Sequence, residues 1–403
     1  MTIDGTGLAP GERIRLFRRR AGLTQEQCAQ LKGCTVSAWR KWESGGRRVS
    51  GFADWVAIAR ILGVRDVYKL TGLPAGELPQ PPADHEAVPA IRAALFRFDP
   101  DLSRPPDLDR LAAQVDRAWT VWQERRSFAE VGALLPRLVT ELRATVARAD
   151  RAEREPAVRL TVLLYFLVRA FTKRVGAQDL ALVVADRATA AAQSLADPGW
   201  QAAAAWNLGM TLYPQGHAEV VAALARDAAA QLRPRLAEAP AEWWSVVGAL
   251  HLLRAVQLFR LRGEHAALGE LEAAEAIGRR TGDRNDFRIF FGPTNVGIHR
   301  VWLALEQTRP AEAIRLADQY DVTGAPSVQR RFAHFVILAR AYCMRNEDVA
   351  AVHMLLRAER ESAWDLRYHA DARAVVRDLL RRENSLTRVD LRPLAERLGI
   401  LAA

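Results

Sequence analysis

Apolar and polar residues alternate with a helical period along most of the chain. Apolar residues recur three or four positions apart, so that each segment has one apolar face. Runs rich in Val, Ile and Thr with the period of two that marks a strand are nearly absent. Alanine, leucine and arginine, which favour helix, are abundant. The pattern predicts an all-α protein that opens with short helices at about 11–20, 24–32, 35–44, 50–62 and 64–70.

The second and third predicted helices have clear start and stop signals. Thr24 is a good N-cap, and Gln27 stands three residues later, where it can close a capping box. Gly33 ends the second helix because glycine adopts the left-handed conformation that a tight turn requires. Thr35 caps the third helix, and Gly45 ends it. Two short helices joined by such a turn are typical of a helix-turn-helix.

The third helix, in the stretch TVSAWRKWESG, combines tryptophans with cations. Trp39 and Trp42 are three residues apart and therefore share one face. We expect this aromatic face to pack against the neighbouring helices, which leaves a polar, cationic face turned outward. That outward face carries Val36, Ser37, Arg40 and Lys41.

Positive charge is concentrated at the N-terminus. The formal net charge is +10, and residues 1–72 contain thirteen Lys or Arg against six Asp or Glu, a net +7. The remaining 331 residues therefore carry only +3. This asymmetry indicates a polyanionic partner for the first segment, although many solvated helices are also rich in arginine.

The run LTQEQCAQLKGCTVSAWRKWESGGRRV resembles the Cro/phage-repressor type of helix-turn-helix, the XRE family. The matching marks are T-Q opening the second helix, Ala29, Gly33, Thr35 and the W-E-x-G at 42–45. The resemblance covers about residues 11–72 and implies a five-helix DNA-binding domain. Trp39 departs from the family, which usually has a smaller aliphatic residue there.

The resemblance implies roles for individual side chains. Gln25 would bind backbone phosphate through its side chain and the helix N-terminus. Lys41 would read guanine O6 and N7, and Val36 would touch a thymine methyl. Arg40 would reach base or phosphate, while Arg47 and Arg48 would clamp phosphate. The whole implied DNA-binding set is Gln25, Thr35, Val36, Ser37, Arg40, Lys41, Arg47 and Arg48.

A proline-rich stretch separates this segment from the rest of the chain. LPAGELPQPPADHEAVPA, about residues 73–90, holds five of the nineteen prolines, and such stretches are extended and semi-rigid. We predict a helix-turn-helix domain at 1–73, a linker with a bridging helix at 74–106, and a helical region at 107–403.

The helical region contains weak internal repeats. In FVILARAYCMRNEDVAAVHMLLRAERESA, Ala339 and Tyr342 precede Ala351, Leu355 and Ala358, a spacing that lets two helices pack closely. This resembles the tetratricopeptide repeat (TPR), with weaker copies around 208–228, 255–274 and 313–317 and an earlier pair at about 157–194. The irregular spacing predicts degenerate repeats that stack into a TPR-like superhelix with a concave groove.

Two stretches in this region are candidates for effector contacts. Asn295, His299 and Arg300 lie among aromatic residues in FRIFFGPTNVGIHRVWLALE, and Trp206 with Asn207 lies in AAAAWNLGM. An asparagine side chain can donate to and accept from a peptide backbone at once. The alternative interpretation is that these are packing aromatics and polar groups of helix surfaces.

Other classes of function lack support in the sequence. No signal peptide opens the chain, and the most apolar run, LTVLLYFLV at 160–168, is far shorter than the roughly 20 residues of a membrane span. Cys28, Cys34 and Cys343 form no paired framework and read as free thiols. No catalytic motif and no Cys/His cluster occurs, so we expect no enzyme, cofactor, metal or membrane partner.

The two resemblances together suggest a cytoplasmic transcriptional regulator with a DNA-binding domain and a TPR-like sensor domain. This architecture is similar to that of bacterial quorum-sensing regulators, whose TPR groove binds a signalling peptide. The implied partners are double-stranded DNA with a near-palindromic operator, a second copy of the chain in a homodimer, and a peptide or small-molecule effector. The alternative is a TPR adaptor that sequesters a partner protein, which would have no need of the cationic face at 36–48.

Overall fold

In the computed structural model, the chain divides into two compact units, Met1–Pro81 and Pro82–Ala403. The structure describes residues 8–46, 49, 52–64, 68–71, 85–97, 107–213, 217–322, 325 and 327–401. Within these ranges the elements are helices and turns, with one isolated antiparallel bridge between Arg284 and Phe291. The predicted all-α class is confirmed.

The N-terminal unit begins as its sequence predicts. Its helices are α1 Pro10–Arg20, α2 Gln25–Lys32, α3 Val36–Ser44, α4 Phe52–Ile61 and α5 Tyr68–Thr71. The capping box of α2 is formed: Gln27 N donates to Thr24 Oγ1 at 3.1 Å, and Thr24 N donates to Gln27 Oε1 at 2.8 Å. Gly33 and Gly45 end α2 and α3 with φ of 72° and 76°, the left-handed conformation that favours glycine.

One small hydrophobic core holds the N-terminal unit together. Residues from α1 to α5 meet in it, so even a short helix contributes to the same buried cluster. Its members are Ile14, Cys28, Ala29, Trp39, Trp42, Ile58, Ala59, Leu62 and Leu70. Both tryptophans of α3 belong to this core, as the three-residue spacing predicted.

The second unit is a succession of packed helices. They are α6 Ala87–Phe96, α7 Leu108–Thr120, α8 Phe128–Arg148, α9 Arg151–Arg174, α10 Gln178–Gln193, α11 Pro198–Leu212, α12 Ala218–Leu232, α13 Ala241–Arg262, α14 Glu264–Thr281, α15 Pro293–Glu306, α16 Pro310–Ala317, α17 Val328–Met344, α18 Asp348–Glu361, α19 Ala363–Tyr368, α20 Ala370–Leu380 and α21 Ser385–Arg397. A π-helical turn, Val121–Arg125, follows α7.

Consecutive helices of this unit pack in pairs, and the pairs contact their neighbours. The pairs are α9/α10, α11/α12, α13/α14, α15/α16 and α17/α18, whose members follow each other closely in the chain. The small residues that the repeat pattern placed at the helix contacts are buried, among them Ala225, Ala267, Ala313 and Ala351. Small side chains let the helix backbones approach closely, and the stacked TPR-like arrangement is therefore as the sequence predicts.

Helix α6 belongs to the second unit and packs on α8. Its Ile91 and Leu95 are fully buried, and Arg143 and Arg187 donate to the carbonyl oxygens of Ala94 and Leu95 at its C-terminal end. These bonds satisfy carbonyls that have no partner within the helix. The domain limits at 73 and 106 stay predictions, since residues 72–84 and 98–106 lie outside the described part of the chain.

A buried ion pair joins segments that are far apart in sequence. Arg126, directly after the π-helical turn, donates to both carboxylate oxygens of Asp365 at 2.7–2.9 Å. Arg174 at the end of α9 reaches the same carboxylate at 3.0 Å. Burial raises the pKa of Asp365, but the nearby charges of Arg174 and Arg126 lower it by more. The pKa of Asp365 therefore lies below its ordinary value.

Three further observations concern the described residues alone. None of their helices combines the length and the apolar character needed to cross a bilayer. They contain no group of three His, Cys, Asp or Glu side chains arranged to hold a metal ion. The three cysteines are free thiols, with Cys28 and Cys343 buried and Cys34 half-buried.

Two glycines provide a paired test of the helix packing. A Cβ on Gly248 of α13 would lie 2.0 Å from the ring of Phe291, which is fully buried and cannot move aside, whereas a Cβ on exposed Gly269 of α14 would meet nothing within 4 Å. We expect Gly248→Ala to destabilise the fold by about 1–3 kcal/mol through overpacking. Gly269→Ala should stabilise it by about 1 kcal/mol because alanine favours helix. Thermal unfolding followed by circular dichroism measures both, and an unaltered midpoint for Gly248→Ala would contradict this packing.

Candidate nucleic-acid interface

Helix α3 has one buried face and one exposed face. Trp39 is 0% exposed and Trp42 is 7% exposed, and their rings meet edge to face with centroids 5.8 Å apart. Ser37, Arg40 and Lys41 are exposed on the opposite side. Thr35 caps the helix, its Oγ1 accepting from Ala38 N at 3.2 Å. The indoles therefore anchor α3, and its polar face is available to a partner.

Val36 has a mixed position in this arrangement. Its side chain is half-buried and packs against the core of the N-terminal unit. Part of it remains accessible for an apolar contact with a base, while part of it supports the helix. A contact with a thymine methyl stays a prediction.

A buried carboxylate fixes the angle of α3. Glu43 is 1% exposed and lies where α1, α2 and α3 meet. Its oxygens accept hydrogen bonds from Arg18 Nε at 2.5 Å, from Gln25 Nε2 at 2.7 Å and from Trp39 Nε1 at 2.7 Å. Each of the three helices therefore donates to one carboxylate, which holds them in a defined relative orientation.

This contact also gives a reason for tryptophan at position 39. The indole of Trp39 places an N–H donor next to Glu43, which an aliphatic side chain cannot do. Burial raises the pKa of Glu43, but the hydrogen bonds from Arg18, Gln25 and Trp39 outweigh it and hold the pKa below its ordinary value. The carboxylate is thus charged and fully used inside the N-terminal unit.

The close approach of α1 to α3 requires glycine at position 11. A Cβ at Gly11 would lie 2.4 Å from the carbonyl oxygen of Trp42 and 2.9 Å from that of Glu43. No side chain can be accommodated against backbone atoms at such distances. The resemblance did not single out this residue, since only the packed structure shows what faces it.

The side chain of Gln25 is engaged inside the unit in this structure. Its Nε2 donates to Glu43, and its Oε1 accepts from Arg40 Nε at 3.2 Å. Arg40 also donates to Glu26 Oε1 at 3.1 Å, and both of those side chains are about 60% exposed. An exposed pair of this kind is worth little, so Arg40 can exchange Glu26 for a phosphate at small cost. A phosphate contact by the Gln25 side chain stays a prediction.

Two implied phosphate contacts cannot be placed. Arg47 and Arg48 lie outside the described residues, so the proposed clamp after α3 stays a prediction.

Ser37 and Lys41 are exposed side by side, one helical turn apart, as base-reading positions on one face require. The structure thus brings Ser37, Arg40 and Lys41 to one surface.

The sequence interpretation missed a cationic cleft between α1 and α2. The cleft is an open depression of about 530 Å³ next to the N-terminus of α2, lined by Arg15, Arg18 and Arg19 and also by the carboxylates of Glu26 and Glu43. Arg18 is held by Glu43, and exposed Arg15 also contacts Glu43, with its Nε 3.8 Å from the carboxylate, while Arg19 is exposed. The run RLFRRR could have indicated this surface, because consecutive arginines on a helix point in different directions and some of them must face the neighbouring helix.

The candidate effector residues Trp206 and Asn207 lie on α11, against α9. Asn207 is 1% exposed; its Nδ2 donates to the carbonyl oxygen of Ala203 at 3.0 Å, and its Oδ1 accepts from Arg169. Trp206 is half-buried, with its ring centroid 5.9 Å from the Arg169 guanidinium. The asparagine amide is therefore already bonded, and the partly exposed indole is the accessible part of this pair.

The other three candidates lie on α15. Asn295 is buried; its Nδ2 donates to the carbonyl oxygen of Phe290 at 3.0 Å, and its Oδ1 has no partner among the described residues. His299 Nδ1 donates to the carbonyl oxygen of Asn295 at 2.8 Å, and burial, assisted by Arg330, lowers its pKa to about 4. The imidazole is therefore neutral near pH 7.

Arg300 turns away from the other two residues on α15 and bonds Glu275 of α14. Within the described part of the chain, no hydrogen bond, ion pair or ring contact joins Trp206 and Asn207 to the three residues on α15. The five candidates thus form two separate groups, and an effector role for either group stays a prediction.

Comparison with known proteins identifies the N-terminal segment. Residues 11–67 match the family model of the helix-turn-helix domain. No curated protein matches the chain. The predicted helix-turn-helix is confirmed, and it occupies a minor part of the chain.

Solved structures resemble the chain only distantly. BtubC (BKLC) from P. vanneervenii is 16% identical with a TM-score of 0.39, over 65% of this chain and 92% of that one. Bacillus thuringiensis PlcR in complex with the peptide PapR7 and DNA is 14% identical with a TM-score of 0.30, over 67% and 94%. The P58(IPK) TPR domain is 13% identical with a TM-score of 0.25, over 93% and 99%. At these TM-scores the likenesses establish no shared function.

Removing the Glu43 carboxylate tests its role in orienting α3. We expect Glu43→Gln to destabilise the N-terminal unit by about 2 kcal/mol, because half-buried Arg18 loses its counter-ion and three hydrogen bonds to a buried carboxylate are weakened. Glu26→Gln, the same change at an exposed carboxylate, should leave the stability of the unit close to that of the wild type. Hydrogen exchange of the α1–α3 amides in the full chain measures both effects. Equal protection in the two variants would show that Glu43 does not hold these helices.

The same carboxylate predicts an acid dependence. Because the folded pKa of Glu43 lies below its ordinary value of 4.5, its stabilising effect is complete above about pH 4.5 and is lost as the pH falls through the folded value. Protection factors of the α1–α3 amides should therefore fall below pH 4.5 in the wild type. In Glu43→Gln this part of the pH dependence should be absent, and an identical acid profile in both proteins would contradict the assignment.

Proposed function

We propose that the protein is a sequence-specific DNA-binding transcriptional regulator whose α3 enters the major groove. The observation that supports this most strongly is the exposed face formed by Ser37, Arg40 and Lys41, opposite a buried face that anchors the helix. Lys41 reads a base edge, and Arg40 contacts base or phosphate. The helix-turn-helix match over residues 11–67 agrees with this role.

Backbone phosphates would be held on either side of the reading helix. Arg15 and Arg19 line the exposed cleft at the N-terminus of α2, where backbone N–H groups also favour an anion. Gln25 opens that helix, and Arg47 and Arg48 follow α3 in sequence. Such contacts fix the position of the domain on the duplex but carry no sequence information.

The functional species in this proposal is a homodimer formed through the helical unit. Two-fold symmetry would place two reading helices about 34 Å apart, or a multiple of that distance, on a near-palindromic operator. The helical unit also binds a peptide or small-molecule effector, with Trp206, Asn207, Asn295, His299 and Arg300 as the candidate contacts. An effector alters DNA binding only if it binds two geometries of the dimer with different affinities, and if those geometries also differ in their affinity for the operator.

Selection of bound fragments from genomic DNA would identify the operator. The full chain is incubated with sheared DNA of its own organism, with and without cell extract, and the retained fragments are sequenced. Enrichment of a two-fold symmetric site supports the proposal, and its dependence on the extract reports an effector. Retention of fragments with no shared site would contradict sequence-specific recognition.

Lys41 and Arg60 provide a paired test of the interface. Arg60 is an exposed cation of the last turn of α4, outside the proposed reading face. We expect Lys41→Ala to weaken operator binding by about 1–3 kcal/mol and to relax specificity at one position. Arg60→Ala should leave both unchanged. Fluorescence anisotropy with labelled operator, repeated over a range of salt concentrations, measures affinity and the number of phosphate contacts.

The same measurements can also contradict the DNA-binding proposal and favour a protein-binding adaptor. If Lys41→Ala combined with Arg40→Ala binds operator as the wild type does, α3 does not read DNA. Capture of a partner protein by the helical unit, with no DNA retained, would then favour the adaptor.

A further inference from the structure

A group of cations meets at the C-terminal end of α9. Arg169 and Lys173 are four residues apart and therefore share one face of that helix. Both contact α11: Arg169 donates to Asn207 Oδ1, and Lys173 Nζ donates to the carbonyl oxygen of Met210. Both hydrogen-bond partners are neutral, so neither cation has a counter-ion in these contacts.

The surroundings add more positive charge than negative. Arg174 and Arg126 both pair with Asp365, at 3.0 Å and 2.7 Å. Among the described residues, Asp365 is the one carboxylate paired with any of these four cations. Arg169 and Lys173 have no carboxylate partner among the described residues, which leaves an excess of positive charge at the end of α9 when Lys173 is protonated.

This excess is unfavourable in the protein as it stands. Burial, together with Arg169 and Arg174, lowers the pKa of Lys173 to about 7, although the C-terminal end of a helix favours a cation. Arg169 is 7% exposed, burial lowers its pKa to about 10, and its Nε has no hydrogen-bond partner among the described residues. A buried charge without a counter-ion is costly, and an anion would remove that cost.

Two of the three cations at the end of α9 are only partly covered by the protein. Lys173 and Arg174 are half-buried. Trp206 and Met210 of α11 are also half-buried; the Trp206 ring lies beside Arg169, and the Met210 carbonyl accepts from Lys173. A ligand at this position would meet charge at one end and apolar surface along its length.

The sequence itself marks Lys173 as unusual. The chain has 57 Lys and Arg residues, of which four are lysine, and Lys173 is the one lysine in residues 73–403. Arginine stays charged in proteins, whereas a buried lysine changes its protonation readily. A lysine at this place is therefore suited to gain its proton when an anion arrives.

We propose that Arg169, Lys173 and Arg174 form a binding site for an anion with an apolar body, of the kind presented by a small organic acid or by the free C-terminal carboxylate of a short apolar peptide. The carboxylate would bind between the three cations, and the apolar part would lie on Trp206 and Met210. This inference rests on the proposal that the helical unit binds an effector, and it names the chemistry of that effector.

Octanoate and octanamide test the site, because they share one apolar chain and differ in charge. We expect octanoate at millimolar concentration to raise the thermal midpoint of the full chain and to bind in calorimetry, while octanamide does neither. Lys173→Met keeps the length of the side chain and removes the charge. It should abolish the octanoate response and raise the midpoint of the unliganded protein, because a repelled cation is gone. The matched control is Arg262→Gln, which removes an exposed cation from the last turn of α13.

Each other result overturns the inference. An equal response to both compounds would show apolar binding alone, and no response of the wild type to octanoate would show that the cations bind no such anion. A Lys173→Met protein that is less stable and still responds to octanoate would assign Lys173 a structural role. Loss of the response in Arg262→Gln as well would indicate a general effect of net charge.

A second pair of probes separates the two sources of the carboxylate. N-acetyl-trileucine with a free C-terminus carries the charge on a peptide, and its C-terminal amide lacks it. Binding of the free acid tighter than octanoate indicates a peptide, and the reverse indicates a small acid. Because these measurements use no DNA, they stand apart from the operator assay, in which Lys41→Ala decides whether the regulator proposal itself holds.

Discussion

The N-terminal unit depends on one buried carboxylate shared by three helices. Glu43 accepts from Arg18, Gln25 and Trp39, so α1, α2 and α3 cannot rotate independently without losing a charge-assisted bond. The apolar core alone would hold these short helices together but would tolerate small changes of angle, because hydrophobic contacts are not directional. The proposed contacts of α3 with base edges require a fixed helix angle, because side chains must be held close to their binding geometry. The contacts on the buried face of α3 therefore set the direction in which its exposed face points.

The two units use positive charge in opposite ways. In the N-terminal unit, Arg40 and Lys41 are exposed, and an exposed cation loses little by exchanging water or a weak partner for phosphate. In the helical unit, Arg169 is buried and Lys173 half-buried, both against neutral acceptors. A buried cation without a counter-ion is costly, and an anion that pairs with it removes that cost. The first arrangement suits a polyanionic duplex, and the second suits a small anion.

The site was only partly visible in the sequence. Helix caps and the tryptophan spacing predicted the short helices and the buried face of α3, because both signals act within a few residues of the chain. The role of Glu43 and the requirement for Gly11 were missed, since each depends on atoms that lie far away in sequence. The candidates on α11 and α15 were selected for their residue types, and the contacts then divided them into two groups.

The sequence by itself determined the helical class, the helix-turn-helix at the N-terminus and the pairing of helices through small residues. These follow from periodicity, capping and side-chain size, which are local properties that any fold must respect. Tertiary structure alone decided which charges are paired and which are not. Asp365 meets Arg126 across 239 residues, whereas Lys173 donates to a carbonyl oxygen, and neither partner can be read from the sequence around these cations. The reason is that an ion pair depends on distance in space, which the chain order does not contain.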